Sequence, residues 1–325
     1  EPYDIKWYDD LNNVLGSSED LLNIKAGIYT VIVTDAKNCQ LIETFDLGEP
    51  ELLEISIIES QSIRCHGDFS STLELVTSGG VGGNSFTWYN AITSEVIGTT
   101  TTVLNNLGAG SYYVKVIDAN NIEAQSNVYV VSEPTPLGVT TSTTNLSCFE
   151  SNNGSILLAL SGGTGMYRYR LKKDNDTYGS WIAFTSNFSI DNLSAGVYQI
   201  QVKDANGCSY KEGGVSKTIT HTIIQPNALT LSHVFTDVKG FGLSDGVIDL
   251  SITGGTLPYT YRWATSAGDT VATTEDLENV KAGGYNVTVT DTQGCSISRD
   301  FVITEPDLLE ILIQETPMDI FMMLI

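Results

Sequence analysis

Several residue types are scarce in this chain, and each scarcity excludes something. Three histidines in 325 residues, His66, His221 and His233, fall at unrelated positions, and no pair has the spacing of a metal site. No Gly-x-Ser-x-Gly elbow or phosphate-binding loop appears, so no catalytic constellation is visible. Carboxylates are too plentiful for neighbours such as Glu275 and Asp276 to suggest acid/base chemistry. Lys and Arg number 16 against 39 Asp and Glu, a net charge of −23, and no basic patch is expected to interrupt this balance. Such a charge argues against nucleic acid or an anionic membrane as partner and favours solubility or cation binding. No apolar run approaches the roughly 18 residues of a membrane span, so no membrane insertion is expected. Long helical periodicity is missing too; with Thr, Ser, Val and Gly abundant, the chain reads as all-β.

What is present is repetition. The segment Leu277 to Asp291 follows the frame L-x-N-[LIV]-x-A-G-x-Y-x-[VI]-x-V-x-D and recurs, with small departures, at Leu21 to Asp35, Leu104 to Asp118 and Ile190 to Asp204. The copies are spaced 83 to 87 residues apart. A fixed period of that size marks a tandem array. Val287 and Val289 alternate with Asn286, Thr288 and Thr290, as in a half-buried strand. Tyr29, Tyr112, Tyr198 and Tyr285 stand at the strand entrance. There a Greek-key sandwich places a tyrosine that packs into the core and bonds back to the preceding loop, the tyrosine corner; ligand stacking is the alternative. After the strand, Asp35, Asp118, Asp204 and Asp291 each open a hairpin whose fourth position is Asn or Gly, residues that tolerate a left-handed backbone. Calcium is the one metal these aspartates suggest, but no segment spells a calcium loop. Turn capping explains them more simply, so no cofactor is expected.

Each unit closes at a proline: Glu49-Pro50, Glu133-Pro134, Gln225-Pro226 and Glu305-Pro306. Proline withholds a donor and stops the strand. The next strand starts almost at once (Leu52 to Ile58, Leu229 to Val234, Leu308 to Ile313), so the joints are expected to be stiff. The expected division is a partial repeat at 1–50, repeats at 51–134, 135–226 and 227–306, and the start of another at 307–325. Thr316 to Ile325 depart from the pattern. The chain begins in mid-repeat, Pro2-Tyr3 to Trp7 matching Pro258-Tyr259 to Trp263, and reads as a piece of something longer whose targeting signals lie elsewhere.

The second strand of a unit ends in a Gly-Gly pair (Gly79-Gly80, Gly162-Gly163, Gly254-Gly255), and the third alternates aromatics. Trp7, Trp88 and Trp263 share one position and read as core tryptophans, with a sugar platform as the alternative. The segment after the third strand varies most. In the repeat at 135–226 it is longer, Lys172 to Ser189, with an additional Trp181 and Phe184; such loops carry binding disproportionately, so a ligand contact is looked for there.

Five cysteines fall in two kinds of place: Cys65 and Cys148 in the turn between the first two strands, Cys39, Cys208 and Cys295 just after the hairpin. Bridges within one unit would set Cys65 against Ile122 and Cys295 against Gly240. Joining the early turn of one unit to the hairpin of the next instead gives Cys65 to Cys208 and Cys148 to Cys295. The two turns lie at opposite ends of a sandwich, beyond the roughly 7 Å Cα limit of a bridge, yet face each other across a head-to-tail joint. Two inter-repeat disulfides are therefore expected, and with them an oxidising, extracellular location; buried free thiols are the alternative.

The combined motifs D-G-x-I-x-L, T-G-G-T-x-P-Y-x-Y-x-W, A-G-x-Y-x-V-x-V-T-D-x-x-G-C and V-I-T-E-P, fullest over Asp245 to Pro306, resemble the SprB repeat of the giant surface adhesins of gliding Bacteroidota. The repeat at 51–134 departs most, lacking the Pro-Tyr pair and the second cysteine. The resemblance implies export by the type IX secretion system, contact with gliding machinery through other regions of the protein, and attachment to polysaccharide or another substratum. It brings no site residues. Residues and resemblance together give an all-β tandem array of immunoglobulin-like Greek-key β-sandwiches of about 85 residues, non-enzymatic and displayed at the cell surface. A passive stalk and a sugar-binding accessory of a secreted enzyme are the alternatives.

Overall fold

The computed structural model describes residues 2–311. The atypical residues Thr316 to Ile325 lie outside them, as does the end of the strand expected at Leu308 to Ile313; its described portion, 308–311, forms no strand. Every regular element among the described residues is a β-strand. The chain divides into two compact units, Glu1–Thr135 and Pro136–Ile325.

The second unit holds two sandwiches of one plan. In the first, Gly138–Thr144, Gly154–Ser161 and Asn187–Leu193 form a three-stranded sheet, with Gly154–Ser161 central. The facing sheet runs in the order Ile182–Phe184, Tyr167–Lys173, Gly196–Lys203, Ile219–Ile223. The second sandwich repeats the arrangement with Thr230–Thr236, Gly246–Thr253 and Leu277–Val280 against Thr270–Ala272, Thr260–Thr265, Gly283–Thr290 and Ser296–Ile303. Seven antiparallel strands thus pair in the order 1-2-5 and 4-3-6-7, the immunoglobulin-like Greek key. In the first unit, residues 54–131 form the same sandwich with the last strand broken into Glu123–Gln125 and Tyr129–Val131. Residues 4–47 form a single sheet with the 4-3-6-7 order.

Alternation along the strands decides what is inside. Val287 and Val289 are fully buried with Ile248 and Trp263, and Ile156, Leu158 and Ile200 fill the equivalent core in the preceding repeat. Trp88 and Trp263 are completely enclosed, and their indole N–H groups donate to the carbonyls of Thr101 (2.9 Å) and Thr274 (3.2 Å). Enclosure removes them as sugar platforms, and the partner carbonyl satisfies the polar atom that burial would otherwise strand.

The L-x-N stretch of the frame, which alternation did not expose as a strand, forms the fifth strand, Val103–Leu107, Asn187–Leu193 or Leu277–Val280. Its pairing shifts register through a bulge. The asparagine is the reason: Asn23, Asn106, Asn192 and Asn279 all adopt φ of 58 to 60°. Left-handed backbone of this kind costs most residues about 1–2 kcal/mol, and asparagine less. Asn279→Ala is therefore expected to lower stability by about 1 kcal/mol, and Asn279→Gly to cost no more than Asn279→Ala. Urea denaturation checks both; equal tolerance of valine at 279 would contradict the reading.

Candidate functional site

Each conspicuous repeated residue holds two pieces of backbone together. The four tyrosine hydroxyls donate to carbonyls four residues upstream: Tyr29 to Lys25 (2.6 Å), Tyr112 to Gly108, Tyr198 to Ser194 and Tyr285 to Lys281 (3.0 Å each). Burial pushes the phenol pKa of Tyr112 up; at Tyr285 burial does the same, partly opposed by the bond to Lys281. Such phenols stay protonated donors throughout the ordinary pH range.

The hairpin aspartates reach further. One carboxylate oxygen of Asp291 accepts from the N–H groups of Gln293 and Cys295, both at 2.9 Å, and caps its own turn. The other accepts from Thr256 N–H at 2.9 Å, in the loop after the second strand. Asp204 likewise holds Cys208 and Thr164, and Asp118 holds Asn120, Ile122 and, at 3.4 Å, Val81. These oxygens, aimed at N–H donors in a buried setting, are committed to backbone rather than to a cation. Among the described residues, no three His, Cys, Asp or Glu side chains gather as a metal site.

The Gly-Gly pair completes this corner. A Cβ on Gly254 (φ +82°) would lie 1.9 Å from the carbonyl oxygen of Ala228, and one on Gly255 would lie 2.9 Å from the Asp291 carboxylate. Gly255 N–H donates to Asn227 O at 2.9 Å. Asn227 and Ala228 directly follow Pro226, so Asp291 and the glycines anchor the start of their own repeat where it leaves the previous one. At the opposite end, the residue before the closing proline caps the turn between the first two strands. Glu133 and Glu305 accept from Gly67 and Gly242 N–H, both at 2.6 Å, and the Gln225 amide oxygen accepts from Glu150 N–H at 2.9 Å. This is a reason for a Glu or Gln before each proline.

These two corners meet at the joint inside the second unit. Cys148, in the early turn of one sandwich, and Cys295, in the hairpin of the next, form a disulfide with Cα atoms 5.6 Å apart. Beside it a cleft of about 330 Å³ is lined by Phe149, Pro226, Leu229 and Ile297 among others. Cys39 is free and exposed.

Phe184 is not a loop ligand contact. It sits in the short strand Ile182–Phe184, buried against Tyr167, Tyr169 and Phe188 with ring centroids 5.3 to 6.0 Å apart across the cluster. Period-two alternation turns it inward, whereas Trp181 stays half-buried on the outer face. There Trp181 meets two cations, Arg170 (4.8 Å from guanidinium carbon to ring centroid) and Lys203 (4.1 Å from the ammonium). The expectation of an uninterrupted acidic surface is thereby corrected. Arg168, Arg170 and Lys172 alternate along one strand, and Lys203 lies across from Arg168 on the next. The run Arg168-Tyr-Arg-Leu-Lys172 carried that signal, its cations separated by one residue rather than contiguous.

With this geometry in place, comparison with known proteins gives one family. The sequence model of the SprB repeat matches residues 140–175 and 232–268, corresponding stretches of the two sandwiches in the second unit. These two stretches are similar to the SprB repeat. Its immunoglobulin-like sandwiches have counterparts among solved structures. One is a Dscam structure on isoform specificity (13% identity, 94% of this chain and 92% of that one, TM-score 0.24). Others are the mouse nectin-like molecule 4 ectodomain (11%, 79% and 96%, TM-score 0.32) and extracellular domains 3–5 of Drosophila OTK (12%, 73% and 91%, TM-score 0.25). Scores this low add nothing to what the strand order states. No curated protein matches the sequence.

Asp291 makes a pH prediction. Burial raises its carboxyl pKa, but N–H donors from Cys295, Thr256, Gln293 and Gly294 lower it by more, leaving it below the ordinary 3.8. A depressed folded-state pKa contributes stability that is complete above about pH 5 and lost as pH falls through the folded value. Asp291→Asn should therefore destabilise the protein at pH 7 and lose less on going to pH 3 than wild type does. Thermal melts at the two pH values measure it, and equal losses would contradict it.

Proposed function

We propose that this chain is a stiff, extracellular stretch of a large repetitive surface adhesin that acts in attachment, with gliding motility and type IX secretion as its setting. The observation that carries the reading is the covalent joint: Cys148–Cys295 links neighbouring SprB repeats where proline and backbone bonds already restrict the chain. Disulfides persist in oxidising compartments, which supports display outside the cell. A bond between early turn and following hairpin is a rule that extends along an array, and we propose that Cys65 and Cys208 pair by it. The repeats act mechanically and need no cofactor, and the partner is a surface polysaccharide or another substratum.

A passive stalk is the second reading, favoured by the enclosure of Trp88 and Trp263, which takes these two tryptophans away from any ligand. Adsorption of the purified chain to agarose, glass and a polysaccharide panel, with and without calcium, separates the two. Saturable, calcium-independent adsorption is expected; no adsorption to any surface would make this stretch a spacer. Peptide mapping without reductant should recover Cys65 linked to Cys208 and Cys148 to Cys295. A Cys148–Cys208 peptide would overturn the pairing rule.

A further inference from the structure

Charge is unevenly shared along the array. The repeat at 135–226 has seven Lys and Arg against six Asp and Glu, a net +1, in a chain whose total is −23. Four of those cations face outward on one sheet, in register across two strands: Arg168 opposite Lys203, Arg170 opposite Gln201, Lys172 opposite Gln199. Among the described residues, no carboxylate forms an ion pair with any of the four. Aromatic rings hold three of them instead. Arg170 lies 4.8 Å over both Tyr178 and Trp181, Lys172 lies 5.5 Å over Tyr178, and Lys203 lies 4.1 Å over Trp181.

This arrangement differs from an ordinary solvated face. A ring attracts a cation through its quadrupole without neutralising it, so Arg170, Lys172 and Lys203 are pre-ordered and keep their full charge. Arg170 is further fixed by two bonds from its guanidinium to the Gln201 amide oxygen, at 2.9 and 2.7 Å. The rings come from the long segment of this repeat, and the positions corresponding to Arg168, Arg170 and Lys172 are Ser85, Thr87 and Tyr89 in the preceding repeat and Thr260, Arg262 and the buried Ala264 in the following one. At physiological salt the Debye length is about 8 Å. Charges farther than this from a ligand on the face are largely screened, so the local charge decides.

We propose that this outer face binds an anionic polysaccharide, one with a carboxylate or sulfate on its repeating unit. Charge complementarity selects the anion. The amides of Gln199 and Gln201 beside the cations suit an extended hydroxylated chain. The inference rests on the attachment reading and names its ligand class.

The test uses the whole chain. Binding of fluorescent hyaluronan, heparin and neutral dextran is measured by polarisation for wild type, for R168Q/K172Q/K203Q, and for K239Q/K281Q/R299Q, which removes equal charge from another repeat. Circular dichroism checks that both variants fold. Wild type is expected to bind hyaluronan or heparin in a salt-sensitive manner and dextran at least tenfold more weakly. The first variant should lose at least tenfold and the second less than twofold. The hyaluronan and heparin arms tell carboxylate from sulfate. Equal losses in the two variants, or dextran bound as well as the polyanions, would overturn the proposal. Adsorption to agarose or glass without polyanion binding would overturn it while sparing the attachment reading; no binding to anything would remove both. Salt-sensitive self-association lost only in the first variant, without polyanion binding, would assign the face to a second copy of the chain and overturn the glycan.

Discussion

One carboxylate per repeat organises the rest. Asp291 binds its own hairpin with one oxygen and the loop after the second strand with the other. The first bond sets where Cys295 stands. The second holds Gly254 and Gly255 against Ala228 and Asn227, where the repeat begins. Without that clamp the hairpin and the loop would be two independent turns at the end of a small sandwich, and the cysteine would have no fixed address. A domain of about 85 residues buries a limited core, so end loops held by a buried, fully bonded side chain matter more than they would in a larger protein.

The other repeated residues solve the same problem elsewhere. Tyrosine corners hold the loop before the sixth strand, and Glu133, Gln225 and Glu305, each before a proline, hold the turn carrying Cys148 or its equivalent. The joint between the two sandwiches of the second unit is thus prepared from both sides before the disulfide closes it. Covalent closure then adds constraint to elements already placed.

Much of this was legible because the chain repeats itself. Tyr285, Trp263 and the Asp291 hairpin recur at one period, and each has a local chemical reason that alternation and turn chemistry expose. The pairing of Cys148 with Cys295 came from register, since internal repetition shows which positions are equivalent. What escaped depends on neighbours distant in sequence. The Asn279 bulge is a φ angle without a hydrophobic signature. Phe184 looked like loop decoration until a three-residue strand turned it inward. The cationic face gathers Arg168, Arg170 and Lys172 from one strand and Lys203 from another, 31 residues beyond Lys172. In the sequence an overall charge of −23 hides it.

A glutathione redox titration of the Cys148–Cys295 pair in wild type and in Asp291→Ala, quantified by peptide mapping, reads out the clamp's hold on the joint. If the carboxylate clamp positions Cys295, the variant's effective thiol concentration at this pair should fall at least tenfold while its sandwiches remain folded by circular dichroism. An unchanged effective concentration in a folded Asp291→Ala protein would mean that the joint is organised by something other than the clamp, and would contradict the account.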